Sequence, residues 1–413
     1  MAAIKVIKAG LLSTVQDAGR EGYQQYGVPV SGVMDRYAYR VGNILVGNQK
    51  GEAVIEVTMM GFAAEFIEET VIAVTGGDLT PTLNGSPLAM WRAIRVCPGD
   101  KLAFQRVKSG CRSYLAVAGG IDVPKVMKSR STYLRGGFGG FGGRALLKGD
   151  ELEIGRPSPA LRDLADRTLK KEAMEYPASL TVRVVPGPQK EAFTKAGIEA
   201  FYRETYQVTM ESDRMGFRLE GAEISHQDQS EIISDGIAMG AVQIPGHGRP
   251  IIMMADRQTA GGYPKIGNVI TCDLPKLAQA KPGDSVTFQQ VTIEDAQEAF
   301  RKLENRLRQM EEQLKTREPA PQDSQSGEVE EELTQAAAEP TEELTQAAAK
   351  PTEELTQAAS EPTEEKRQTV KMPLKPQEKE APQQPNSARQ PGRTFLVRVN
   401  EKEYTVIVEK REE

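Results

Sequence analysis

The chain has 413 residues, of which 39% are hydrophobic, and a formal net charge of -6. That length allows two or three domains, and the mild acidity gives no basic footprint for nucleic acid. His226 and His247 are the only histidines, which excludes a multi-histidine metal centre and leaves few candidates for a hydrolytic triad.

Cys97, Cys111 and Cys272 stand alone, without CxxC spacing. They read as reduced thiols in a cytosolic protein, each a small buried hydrophobe. The opening MAAIKVIKAG has no apolar signal-like region, and no apolar run is long enough to span a bilayer. The expected location is the cytoplasm, with no membrane partner.

From residues 4 to 287 short apolar runs alternate with Gly, Pro, Asn and Asp, as in VIAVTGGD, IRVCPGD, YLAVAGGIDVP and TVRVVPGP. That punctuation predicts strands and a mainly β fold of barrels or sandwiches. Helical patterns are confined to about 34–46, after the Ser31-Gly32 turn, and about 189–203. Two stretches share a Gly/Pro turn followed by a buried strand, 27–61 and the region around 212–267. A pair of β domains is therefore expected, over 1–160 and 161–292. The join falls in the charged, turn-prone stretch 157–177.

Beyond them, Ala296, Phe300, Leu303, Leu307, Met310 and Leu314 recur at spacings of 4 and 3. This predicts an amphipathic helix over 293–317 that docks on its own domain or pairs with another chain. An 11-residue repeat, EELTQAAAEPT and its two copies, begins a polar stretch read as a disordered linker over 318–393. The alternation in TFLVRVNEKEYTVIVEKREE predicts a β-hairpin over 394–413, which is marginal on its own.

The densest chemistry lies in 234–267, SDGIAMGAVQIPGHGRPIIMMADRQTAGGYPKIG, with seven glycines, three prolines, two aspartates and two arginines. Asp235 and Asp256 on its turns suit general bases or turn caps. Arg249 and Arg257 suit a bidentate grip on a carboxylate, or exposure to solvent. Gln243, Gln258, Thr259 and Tyr263 offer neutral hydrogen bonds, and Gly261-Gly262 permits close backbone approach. His247, between glycines, is read as exposed. Upstream, Asp17, Arg20, Ser31 and Asp35 set polar groups on glycine turns, facing the same cleft or simply capping those turns. The run GGFGGFGG between Arg135 and Arg144 contains a literal GxGxxG, but the strand and helix that a dinucleotide site requires are missing around it. With Arg130, Arg135 and Arg144 flanking it, the run reads as an anion-binding or structural loop.

STVQDAGREGYQQYGVPVSGVMD, YLAVAGGIDVP, SRSTYLRGGFGGFGGRALLKGD, SDRMGFRLEG and the 234–267 stretch together resemble the biotin-dependent carboxyltransferase family, over about residues 4–290. The resemblance implies two cyclophilin-like β-barrel domains. It implies partners too: a B-type 5-oxoprolinase component similar to the KipI kinase inhibitor, and an A-type component. With them such a chain opens 5-oxo-L-proline to L-glutamate, using ATP with magnesium at the level of the complex. Asp17, Arg20, Ser31, Asp35, Arg135, Asp235, Gln243, Asp256, Gln258 and Tyr263 match the family pattern. Two other roles are implied: a carboxyltransferase component that acts on urea or another amide with a separate biotin carrier, or a binding module for a KipI-like inhibitor. The terminal hairpin resembles the opening strands of a biotin carrier domain. The Met-Lys-Met acceptor motif is absent there, so no biotin is expected on this chain.

Overall fold

The computed structural model describes residues 2–158 and 160–315 and the strands Arg393–Val399 and Lys402–Val408. The chain divides into two units, Met1–Gln325 and Ser326–Glu413. The first is mainly β, as expected. Its opening half holds two sheets. One runs in the order Ile121–Asp122, Glu151–Ile154, Ala2–Ala9, Phe62–Phe66, Lys101–Phe104, Pro81–Leu83, Ser86–Pro87. The other runs Leu12–Gln16, Val54–Thr58, Ser109–Val117, Thr70–Asp78, Ala93–Val96. Ile4, Val6 and Phe66 of one sheet and Val15, Ile55 and Leu115 of the other share a single core. That burial on both sheets is what the hydrophobic effect demands of two alternating faces.

The second half is a closed seven-stranded barrel. Its first strand, Ser179–Pro186, pairs in parallel with its last, Ser285–Gln290, and every other pairing in the barrel is antiparallel. Leu180, Val182 and Val184 point inward, as do Val286 and Phe288, with exposed or half-buried residues between them. This period of two turns one face of each strand into core.

Among the described residues five helices decorate the strands: α1 (Arg36–Leu45), α2 (Leu161–Leu164), α3 (Lys195–Arg203), α4 (Leu274–Leu277) and α5 (Ile293–Lys315). Asp35 caps α1 by accepting from the Ala38 N–H, and Thr194 caps α3 through Gly197. The α3 helix is shorter than its apolar pattern, because 190–192 forms a separate 3-10 turn. The charged stretch from 160 to 177 is anchored as it crosses between the halves. Leu164 and Leu169 join the core around α1, and Tyr176 reaches Asp35. The α5 helix docks on that core through Leu307, Met310 and Leu314. Ion pairs from Glu304 to Arg40 and from Arg306 to Glu172 hold it there.

Among the described residues no helix is long and apolar enough to cross a membrane. Cys111 is buried, but Cys97 is exposed and Cys272 intermediate, so only one of the three thiols is core. In the second unit, Arg393–Val399 pairs antiparallel with Lys402–Val408. The linker expected over 318–393 lies outside the described residues except for Arg393, which opens the first of these strands.

Candidate functional site

The turn after strand Leu12–Gln16 begins the site. Asp17 accepts from the Gly19 N–H (2.8 Å), the Arg130 N–H (2.6 Å), the Ser129 hydroxyl (2.7 Å) and the Ser131 hydroxyl. Three of these donors meet Oδ1 and one meets Oδ2, so Asp17 anchors the 129–131 segment. Gly19 and Gly32 both have positive φ, and a Cβ on Gly32 would lie 2.9 Å from the Ala18 carbonyl. The two chain passes meet that closely only without side chains.

Arg20 is fully buried and its guanidinium lies 4.9 Å over the Phe138 ring of the glycine loop. Its Nη2 donates to the Ser131 carbonyl, while Nε and Nη1 have no partner among the described residues. Burial lowers its pKa, and the charges of Asp17 and Asp256 oppose that. Ser31 sits beside the barrel, its N–H donating to the Ala255 carbonyl at 3.1 Å. Its φ is 55°, a strained value for a non-glycine residue, and its buried hydroxyl is unpartnered. Strained backbone clusters at active sites and ligand clamps, and buried unmet polar atoms call for a partner, so the two together make this turn a candidate site.

Asp256 is buried against the same turn. It accepts from Arg214 Nε at 2.9 Å and Nη2 at 3.2 Å. Arg214 also donates to Glu56 of the first half and to the Gly32 carbonyl. Burial alone would lower the Arg214 pKa, but the charges of Asp256 and Glu56 hold it above the ordinary arginine value. This carboxylate–guanidinium–carboxylate bridge joins barrel to sheet. Asp256 is thus an oriented charge within a network. Arg257 donates to the carbonyls of Ile237 (3.0 Å) and Met254 (3.2 Å). Burial, then the nearby charge of Arg36, pushes its pKa down to about 10. It is buried, not a solvent-exposed arginine.

Asp35, fully buried, accepts from Ala38, from the Tyr176 hydroxyl and from Gln279 Nε2. Burial pushes its pKa up to about 6, although these hydrogen bonds pull the other way.

The remaining candidates form a second group, reached through 257–259. Asp235 is exposed and pairs with Lys265 Nζ at 2.8 Å and Gln189 Nε2 at 3.2 Å. The Lys265 hydrogen bond holds its pKa below the usual carboxylate range. Gln243 is buried and donates to the Tyr263 carbonyl at 3.2 Å. The Thr259 carbonyl accepts from Ile237, and Gln258 is half-buried at the edge of Gly261. Tyr263 is 38% exposed.

Arg249 stands apart from both groups, paired with Glu220 at 2.9 Å. Of the arginines flanking the glycine loop, Arg144 is held by Asp150 and Arg130 by Asp122. Among the described residues only Arg135 of the three remains without a carboxylate, lying against Met215. The loop is therefore a poorer anion trap than its three arginines suggest, since two of the charges are already met.

Glu56, Arg214, Gln279 and Arg36 lie outside the candidates that the sequence singles out. Glu56 carried a signal: a lone carboxylate between Ile55 and Val57 in an apolar strand must find a buried partner. Gln279, between two alanines, carried none. Among the described residues no group of three or more His, Cys, Asp or Glu is placed to hold a metal ion.

Residues 26–290 match the model of the family described as "Carboxyltransferase domain, subdomain A and B". The chain is 39% identical to the 5-oxoprolinase C subunit of Escherichia coli (strain K12) over 298 residues, 72% of this chain and 94% of that protein. It is 36% identical to the Haemophilus influenzae 5-oxoprolinase C subunit over 310 residues, 74% of this chain and 97% of that one. It is also 36% identical to urea amidolyase of Lachancea kluyveri, over 72% of this chain but 17% of that protein. The crystal structure of the K. lactis urea amidolyase superposes with a TM-score of 0.71 at 32% identity, covering 75% of this chain and 20% of that one.

Proposed function

The chain belongs to the carboxyltransferase-domain family of subdomains A and B, and from that premise we propose that it is the C-type component of an ATP-dependent 5-oxoprolinase. The observation that carries this reading is the 39% identity extending over 94% of the E. coli protein. The reaction opens the lactam of 5-oxo-L-proline to L-glutamate, in a cytoplasmic complex with a KipI-like B-type component and an A-type component.

A lactam is unreactive toward water, so its carbonyl oxygen must be made to accept negative charge. ATP with magnesium, bound at the level of the complex, would supply a phosphoryl group for that purpose. In this chain the free Nε and Nη1 of Arg20 and the Ser31 hydroxyl are donors held in place before any ligand arrives. Fixed donors of this kind stabilise developing oxygen charge without reorganising. Asp256, oriented by Arg214, sets a negative charge within range of Arg20. The buried site keeps water out of competition for the same donors.

The likeness to urea amidolyase favours a second reading, transfer of a carboxyl group from a separate biotin carrier to an amide such as urea. The experiment is to purify the chain with the proteins encoded beside it and measure ATP hydrolysis with 5-oxo-L-proline or urea. Hydrolysis dependent on 5-oxo-L-proline is expected. Its absence, with avidin-sensitive carboxylation of urea in its place, would transfer the assignment to the second reading.

A further inference from the structure

A cavity of about 590 Å³ lies between α1, the Ala18–Gly19 turn and α5. Its volume is that of a small-molecule site. Phe300, Leu303 and Leu307 of α5 and Ile44 of α1 give it an apolar wall. Phe300 is 43% exposed, although Leu307, Met310 and Leu314 of the same helix face are docked.

The charge in this cavity is unbalanced. Glu304 is taken by Arg40 and Glu311 by Lys315. Among the described residues that leaves Arg36, Lys50 and Lys128 without an ion-pair partner, against the single carboxylate of Glu21. Arg36 is the first residue of α1, where the helix dipole disfavours a cation. Its Nε is buried and has no hydrogen-bond partner among the described residues. Lys128 is held at the cavity by a tight turn in which both Met127 (φ 52°) and Lys128 (φ 65°) are left-handed. Glycine or asparagine would occupy those positions without strain. An anion beside Arg36 offsets the unfavourable placement of that cation at the start of α1, and the Met127–Lys128 turn sets a second cation beside it.

We propose that this cavity binds a compact organic carboxylate, with Arg36 gripping the carboxylate and the α5 wall covering its apolar body. Identifying that ligand as 5-oxo-L-proline rests on the function proposed above; Gly19 and Glu21, the chain neighbours of Arg20, line the cavity. Lys128 and Lys50 draw the anion to the mouth.

The test is calorimetric titration of the full chain with 5-oxo-L-proline and with the uncharged lactam 2-pyrrolidinone. It uses wild type, Arg36→Gln, Arg36→Lys and Lys128→Ala, with KM and kcat measured in the reconstituted complex. Binding of 5-oxo-L-proline but not of 2-pyrrolidinone is expected. Arg36→Gln should weaken it by about 10- to 100-fold, as loss of a charged hydrogen bond does, and raise KM more than it lowers kcat. Arg36→Lys should recover part of the loss, and Lys128→Ala should weaken binding less than Arg36→Gln. Equal binding by wild type and Arg36→Gln, or equal binding of the neutral lactam, overturns the proposal. Turnover decides the 5-oxoprolinase reading separately: a complex that hydrolyses ATP with 5-oxo-L-proline while Arg36→Gln leaves KM unchanged removes the cavity and keeps the function.

Discussion

Gln279 Nε2 lies 2.9 Å from Asp35 Oδ2, so the end of the barrel holds the cap of α1. The same side chain accepts from the Cys111 and Arg112 N–H groups and donates to the Arg112 carbonyl. All of its polar capacity is used inside the protein. Gly77 and Gly110 make room, since a Cβ on either would lie within 3 Å of Gln279 Oε1. Replacing Gln279 by Ala strands the buried N–H groups of Cys111 and Arg112 and takes one donor each from the Arg112 carbonyl and from Asp35, which keeps the Tyr176 hydroxyl. The expected loss is about 2–4 kcal/mol of stability, read from denaturant unfolding. A loss below about 0.5 kcal/mol would mean that water replaces the side chain.

Asp35 should make stability depend on pH. Its folded pKa of about 6 lies above the ordinary 3.8, so the folded state binds the proton more tightly. This contribution is fully present below the unfolded pKa and is lost as pH rises through the folded one. Asp35→Asn removes the titration. Relative to wild type, the variant should therefore gain about 3 kcal/mol between about pH 4 and pH 6 and no more above it. A difference that stays flat over that interval would show that Asp35 is not held protonated.

Among the described residues Arg214 is the only cation in hydrogen-bond contact with Asp256, and it also meets Glu56. Arg214→Met leaves two buried carboxylates unpaired and should cost about 3–5 kcal/mol. Adding Glu56→Gln should recover part of that loss, because one stranded charge is then removed. Full additivity of the two changes would contradict a shared network.

Ser31 separates stability from activity. Its hydroxyl bonds to nothing among the described residues and its φ of 55° is strained. Ser31→Gly should leave stability unchanged or raise it by about 1 kcal/mol. If the hydroxyl serves the reacting carbonyl, the same change should slow turnover by the complex roughly tenfold or more. Wild-type turnover would remove Ser31 from the site.

The glycine loop is tight at some positions and open at others. A Cβ on Gly140 would meet Thr132 Oγ1 at 1.8 Å, whereas one on Gly137 meets nothing within 4 Å, although both have positive φ. Gly137→Ala should cost about 1 kcal/mol of backbone strain, and Gly140→Ala about 2–4 kcal/mol because overpacking is added. Thermal melts of the two variants would rank them.

The mainly β character was legible from the sequence, because alternation and Gly/Pro punctuation are local properties of a strand and its turns. The α5 helix was legible for the same reason: Leu307, Met310 and Leu314 repeat at helical spacing wherever they dock. The motifs around Asp17, Ser31 and Asp256 were visible too, since so many glycines among polar residues serve no ordinary strand. What each charge meets was decided only in three dimensions. Arg214 and Glu56 are 158 residues apart, and Gln279 and Asp35 are 244 apart. No local pattern encodes a partner at such a distance, so Asp17 and Asp256 read alike as candidate bases. Folding surrounds one with loop donors and turns the other toward a guanidinium. Folding also leaves Arg20, Ser31 and Arg36 with polar atoms unmet, and those atoms separate the candidate site from a set of well-capped turns.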